Sequence, residues 1–177
     1  KQLTERDVIN NDDFFCVFIN GYNDKQQSYE FIVTAAGVQF DAKATNDNGE
    51  DDTWNGIWYS AVKITDKGWN VEMKIPYFEL RFPKDNVQQW GINFFRNIQR
   101  QRKKLSWNHI DNTKGNITLY DGILNGIEKV KTPIRLSFTP YFSTYVNSFD
   151  GKTEMNVNGG MDLKYGINDA FTFDMTL

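Results

Sequence analysis

The chain has 177 residues, of which 40% are hydrophobic and 15% aromatic, so it can form a sizeable core and is not a disordered segment. Its net charge of -3 gives no general attraction to nucleic acid. A single cysteine excludes an intramolecular disulfide, and a single histidine leaves little material for a catalytic relay or a zinc site.

Strand-like segments follow one another through the first 75 residues of the chain. Residues 13–20 are apolar on both faces, which predicts a central strand that is covered on both sides. Residues 28–35 and 37–44 follow as further strands. Residues 69–75 alternate apolar and polar side chains with a period of two, and Asp66-Lys67-Gly68 before them predicts a hairpin turn.

Further strands are predicted beyond Pro76, which cannot donate a hydrogen bond to a ladder and therefore ends the preceding strand. A single helical turn is predicted just after it, and strands over residues 90–98 and 121–130. The basic stretch at residues 96–104 predicts a solvated strand end or loop, with a phosphate or lipopolysaccharide contact as the alternative. Many short strands joined by Gly, Asn and Asp turns favour an all-β, antiparallel β-sandwich.

The pattern changes near residue 132, which divides the chain into predicted regions 1–131 and 132–177. The second region contains segments of about 9–11 residues that are apolar on one side and polar on the other, as in strands of outer-membrane barrels. A small antiparallel sheet in water would show the same alternation. Exposed apolar faces and an open edge would also allow a strand-mediated oligomer.

Several ordered segments together resemble one family of bacterial outer-membrane proteins, common in Bacteroidetes. These proteins have an N-terminal domain similar to the family 9 carbohydrate-binding modules, followed by a β-barrel of unknown function. The resemblance is carried by Arg6-Asp7, by residues 12–43, 54–83, 90–100 and 124–141, and by residues 159–177, which resemble the first barrel strands.

The resemblance implies an N-terminally truncated sandwich followed by the start of a barrel, located in the outer membrane with its module periplasmic or extracellular. The family carries several strands before Arg6-Asp7 that are absent from this sequence. The family also has Asp where this chain has Asn20, so a metal-ligand role is not carried over to that position.

Candidate carbohydrate-binding residues are aromatic, because sugars stack their CH faces on exposed rings while a few polar groups fix orientation. Trp54 directly follows a polar loop and is the first candidate platform, and Trp107 in another polar loop is the second. Trp58 and Arg96 complete the candidate set, although Trp58 lies in an apolar strand. The alternative is that these tryptophans belong to the core.

The acidic loop before Trp54 provides a candidate calcium site. Asp47, Asn48, Asp51 and Asp52 offer the hard oxygen ligands that Ca²⁺ prefers, but their spacing does not match an EF-hand. Family 9 modules often bind structural calcium, so the resemblance supports some calcium in the domain. The alternative is a solvated turn.

The predicted function is non-catalytic binding of a carbohydrate, either a glycan or polysaccharide, by a module of an outer-membrane barrel protein. A scaffold or plug domain without a sugar ligand is the alternative. A membrane-associated hydrolase is less favoured, because the sequence does not show two carboxylates that converge on a bond between sugars.

Overall fold

The computed structural model describes residues 3–9, 11–45, 49–111, 113, 117–130, 135–149, 152–167 and 171–177. The chain divides into two compact units, residues 1–132 and residues 133–177. The predicted all-β class with antiparallel sheets is confirmed in both units. No helix in the described ranges is long and apolar enough to cross a membrane.

Nine strands are described in the first unit. They are β1 (Phe14–Asn20), β2 (Gln27–Thr34), β3 (Gln39–Thr45), β4 (Gly49–Asp51), β5 (Tyr59–Thr65), β6 (Gly68–Lys74), β7 (Val87–Ile98), β8 (Lys103–Ser106) and β9 (Gly122–Glu128). Short 3-10 helices occupy Tyr77–Glu79, Gln99–Gln101 and Ile117–Tyr120, and the first is the helical turn predicted after Pro76. Within the described ranges, the large sheet has the order β4-β3-β2-β1-β7-β8, with β9 also paired to β7.

Strand β1 lies in the interior of the large sheet, between β2 and β7. Its odd-numbered residues pack on one side and its even-numbered residues on the other, and both sets are apolar. Val17 and Ile19 belong to one core cluster, while Cys16 and Phe18 belong to a second. The two-sided apolar run therefore marks a central strand, as the sequence predicts.

The hairpin β5-β6 is the second layer of the sandwich and covers the odd-numbered side of β1. Val62, Val71 and Met73 pack against a cluster that includes Phe31, Phe82 and Trp90. Strand β6 alternates half-buried and exposed side chains along its whole length, which confirms the predicted period of two. We call this side of the large sheet the hairpin face and the other side the opposite face.

A buried carboxylate ties the start of the chain to the sandwich. Asp41 on β3 is completely buried and accepts hydrogen bonds from the Arg6 guanidinium, the Gly56 backbone N–H and Trp58 Nε1, the last at 3.1 Å. Arg6 also donates to the Gly56 carbonyl at 2.9 Å and to Gln39 Oε1 at 2.9 Å. One ion pair with its hydrogen bonds thus joins three segments that are distant in sequence.

The second unit is a three-stranded antiparallel sheet of β10 (Arg135–Phe149), β11 (Lys152–Gly166) and β12 (Thr172–Thr176). β10 and β11 have 15 residues each, longer than the segments of about 9–11 predicted from the sequence. Pro140 lies within β10, which is tolerated because β10 is paired on one side only in the described sheet.

The Arg6–Asp41 pair generates a first prediction. Arg6→Ala should lower the free energy of unfolding by about 2–3 kcal/mol, because it leaves the buried Asp41 charge without its cation; the loss for a fully buried pair is about 3–5 kcal/mol. The smaller figure applies because the Arg6 side chain is 37% exposed. Urea denaturation of the chain measures the change.

Lys67→Ala, in the exposed turn between β5 and β6, is the control and should change the free energy of unfolding by less than about 0.5 kcal/mol. An equally small effect for Arg6→Ala would show that the ion pair does not support the fold.

Candidate functional site

Trp107 lies just after β8 on the hairpin face. Its backbone N–H donates to the Phe94 carbonyl at 2.9 Å, and its ring meets the Phe94 ring edge-on at a centroid distance of 5.8 Å. The ring also covers Gly122, where an added Cβ would lie 2.5 Å from the indole. A larger residue at this position would displace the indole, so the ring packs directly on the backbone of β9.

Trp107 is 58% exposed although its ring packs against Phe94 and Gly122. The following residue is anchored as well: the Asn108 backbone N–H donates to Asn93 Oδ1 at 3.1 Å, and its side-chain amide donates to the Tyr120 carbonyl at 3.2 Å. An aromatic ring that is both fixed and exposed loses little conformational entropy when a ligand stacks on it. Trp107 is therefore the predicted site residue with the geometry of a platform.

The other two predicted tryptophans pack at the edge of the core. Trp58 is 3% exposed and meets Phe31 edge-on at 5.3 Å, so it is a core residue. Trp54 is half-buried against Tyr29 at 5.0 Å and Phe31 at 5.8 Å. The Lys43 ammonium lies 5.5 Å from the centre of the Trp54 ring, which adds a cation–π contact.

Arg96 packs neither with Trp107 nor with Trp54 and Trp58 in the contacts described above. Its guanidinium lies over the ring of Trp69 at 5.9 Å, in a cation–π arrangement. Trp54 and Trp58 meet on Phe31 of β2, whereas Trp107 contacts Phe94 of β7, and β1 separates these two strands. These contacts place the four candidate residues in three positions and not in one cluster.

Two of the four predicted calcium ligands, Asp47 and Asn48, lie outside the described residues. Asp51 accepts hydrogen bonds from the Thr53 backbone N–H at 3.2 Å and from its hydroxyl at 2.5 Å, and these bonds lower the pKa of Asp51. Asp52 is exposed in the same turn. Among the described residues, no group of three or more His, Cys, Asp or Glu is placed to hold a metal, so calcium stays a prediction.

Comparison with known protein families gives two matches. The carbohydrate family 9 binding domain-like family matches residues 2–122, about two thirds of the chain. The chain belongs to this family. A domain of unknown function, DUF5916, matches residues 132–177. No curated protein and no solved structure matches the chain.

Sequence reasoning missed a buried acid in this family 9-like domain. Glu30 on β2 is 4% exposed, and one of its oxygens, Oε1, accepts a hydrogen bond from Cys16 Sγ at 3.5 Å. Burial first, and then the charge of Glu50, raise the pKa of Glu30 to about 8. The signal was present in the sequence, because Glu30 is the one charged residue in a strand that is otherwise buried almost throughout.

The pKa of a second acidic residue in the domain, Asp121, is also raised. Asp121 is half-buried and accepts a hydrogen bond from the Ser28 hydroxyl at 3.0 Å. Burial raises its pKa to about 6, against the lowering effects of Ser28 and Lys25. Both acids lie on the opposite face, Glu30 within β2 and Asp121 against Ser28 of the same strand.

The raised pKa of Glu30 generates a second prediction. The unfolded chain releases this proton near pH 4.5, whereas the folded chain keeps it up to about pH 8. Between these values the folded state binds more protons, so the free energy of unfolding should fall as pH rises, by about 1.4 kcal/mol per pH unit from this group. Glu30→Gln should remove that contribution.

The measurement is chemical denaturation at pH 5, 7 and 9, with the difference between variant and wild type compared across pH. Glu72→Gln, on an exposed position of β6, is the matched control and should give a difference that changes little with pH. A difference for Glu30→Gln that is equally independent of pH would show that the folded state does not hold the Glu30 proton.

Proposed function

We propose that the first unit is a non-catalytic module that binds a glycan or polysaccharide, with Trp107 as its stacking platform. The observation that carries the proposal is the exposed indole of Trp107, supported by Phe94 and by the backbone of Gly122. Membership of the carbohydrate family 9 binding domain-like family supports the ligand class.

The chemistry of the platform suits a sugar chain. The face of a pyranose ring carries C–H groups that stack on an indole, and the aromatic ring supplies most of the apolar area that is buried. Asn108 and the exposed His109 follow Trp107 in the chain and place polar groups beside the ring. Trp54, half-buried beside Lys43, is a secondary contact in this proposal.

The third prediction tests the platform. Trp107→Ala should weaken binding to a glycan array about tenfold or more, because the ring that covers the sugar face is lost. Trp107→Phe should retain part of the binding. The free energy of unfolding should change by less than about 1 kcal/mol, since the ring is mainly exposed.

Tyr59→Ala is the matched control, because Tyr59 is also an aromatic residue with 58% exposure but lies on β5. It should leave glycan binding unchanged. If the wild-type chain bound no glycan, or Trp107→Ala bound as well as the wild type, the scaffold alternative would be favoured over the carbohydrate-binding module.

We further propose that the second unit belongs to the wall of an outer-membrane β-barrel, as in the Bacteroidetes proteins that the sequence resembles. The support is the division between the two faces of its sheet. Cross-strand pairs Phe138–Leu163 and Leu136–Tyr165 lie on one face, while pairs Ser137–Lys164 and Thr139–Asp162 lie on the other.

The apolar face of this sheet is exposed. Its large side chains include Phe142, which is 74% exposed, and Val146, Met155 and Val157. A contiguous apolar face of this kind marks a surface that contacts lipid or another protein. Contact with lipid is the proposed use, and under this proposal the binding module belongs to an outer-membrane protein.

The fourth prediction uses two aromatic residues on opposite faces of β10. Phe142→Arg should reduce association of the chain with zwitterionic lipid vesicles by up to about 2–4 kcal/mol, the cost of a basic residue facing the bilayer centre. Tyr145→Arg should have little effect, because Tyr145 lies on the polar face. Flotation of the chain with vesicles measures both.

Equal losses for the two variants would show that the two faces do not differ in lipid contact. No association of the wild-type chain with vesicles would contradict the membrane proposal and would leave the carbohydrate-binding proposal untouched, because that rests on the first unit.

A further inference from the structure

The opposite face of the large sheet carries a cavity that the proposed carbohydrate site does not use. Its volume is about 480 Å³, which is within the range of about 300–1,000 Å³ typical of small-molecule sites. Four phenylalanines contribute to its wall, and Ile32 and Ile117 extend the apolar lining. The phenylalanines are Phe14, Phe18, Phe40 and Phe95.

Glu30 also lines this cavity, beneath the aromatic residues. It is opposite Phe18 in the pairing of β1 with β2, and its side chain projects to the same face as Phe18 and Ile32. Cys16 Sγ donates a hydrogen bond to Oε1 of the carboxyl group at 3.5 Å. Among the described residues, Oε2 has no hydrogen-bond partner although it is buried.

The Glu30 carboxyl group is neutral at pH 7, because burial raises its pKa to about 8. With Oε1 accepting from Cys16, the acid proton on Oε2 is a donor that faces the cavity, whose wall is mainly apolar but includes Asp7, Glu50 and Lys104. A buried donor without an acceptor costs about 1–3 kcal/mol, and a leucine of similar size would avoid that cost. The arrangement is explained if a bound molecule supplies the acceptor.

We propose that this cavity binds a neutral, mainly apolar small molecule whose carbonyl oxygen accepts a hydrogen bond from Glu30 Oε2. The phenylalanine walls favour an aromatic or acyl body over a sugar, and burial among them penalises a charged group. The site is separate from Trp107, which packs on the hairpin face of the same sheet through Phe94.

Prodan, a neutral naphthalene ketone, is a suitable probe, because its fluorescence reports both an apolar environment and a hydrogen bond to its carbonyl. The full chain is titrated with Prodan at pH 7, and the saturable component is followed. Glu30→Leu should weaken this component about tenfold, the equivalent of one lost hydrogen bond to the carbonyl. Glu30→Gln keeps an N–H donor and should bind within about threefold of the wild type.

Binding by the wild type should also weaken as pH rises above about 8, because Oε2 then loses its proton. Other titratable groups line the same cavity, namely Glu50, Lys104 and Asp7, and Cys16 contacts the Glu30 carboxyl group. Glu30→Gln separates their effect from that of Glu30, since in this variant the dependence that remains belongs to them.

Two controls distinguish this site from the proposed carbohydrate platform and from the apolar sheet of the second unit. Trp107→Ala and Phe142→Arg should leave the saturable Prodan component unchanged. The proposal is overturned if the folded wild type shows no saturable component, or if Glu30→Leu binds Prodan as tightly as the wild type. Either result leaves the glycan-binding proposal standing.

Discussion

The ion pair between Arg6 and the buried Asp41 is the interaction on which the arrangement of the first unit depends. A fully buried carboxylate is tolerated only when its oxygens are satisfied, and here an arginine, a backbone N–H and an indole N–H all donate to it. These donors come from the start of the chain, from Gly56 and from Trp58. Because the charge cannot stay buried without them, the three segments must meet.

The same interaction sets the positions of the aromatic residues. Trp58 is held in the core by its hydrogen bond to Asp41, and the loop before it is held at Gly56, where an added Cβ would lie 2.8 Å from the ring of Trp54. Trp54 therefore packs against Tyr29 and Phe31, and it is half-buried. Within the described chain, Trp107 has no contact with this network, and its ring stays mainly exposed. This difference explains why Trp107, the second candidate platform in the sequence, has a better geometry for stacking than Trp54.

Much of the fold could be predicted from the sequence, because burial on one or both faces of a strand leaves a period of two or a continuous apolar run. Residues 13–20 and 69–75 show both cases, and β1 and β6 were found where expected. The short strands β4 and β8 were not predicted, since they are formed by polar, mainly exposed residues whose pairing depends on a neighbouring strand. Sequence periodicity carries no signal for pairing of that kind.

The candidate site was less predictable, because exposure of a ring depends on residues that are remote in sequence. Nothing near Trp107 in the chain indicates that Gly122 leaves room for its indole, or that Phe94 supports it. Arg96 is a candidate in the sequence, yet its guanidinium lies over the ring of Trp69. The partition of tryptophans between core and surface is therefore a property of tertiary packing, which a single sequence does not encode locally.

The two faces of the large sheet differ in a way that bears on function. Buried polar side chains on the opposite face mostly have partners: Asn97 donates to the Asp12 carbonyl at 2.8 Å, and Asn93 to the Tyr120 carbonyl at 3.3 Å. In the described part of that face, the exceptions are one oxygen each of Asp7, Glu30 and Asp121.

The exceptions at Glu30 and Asp121 are not equivalent. Asp121 is half-buried as a residue, although its unpartnered Oδ1 is itself buried, and it does not line the cavity. Glu30 is 4% exposed and lies against the phenylalanine rings of the cavity. The unsatisfied oxygen of Glu30 therefore calls for an acceptor carried by an apolar molecule, and the cavity above it has the volume to admit one.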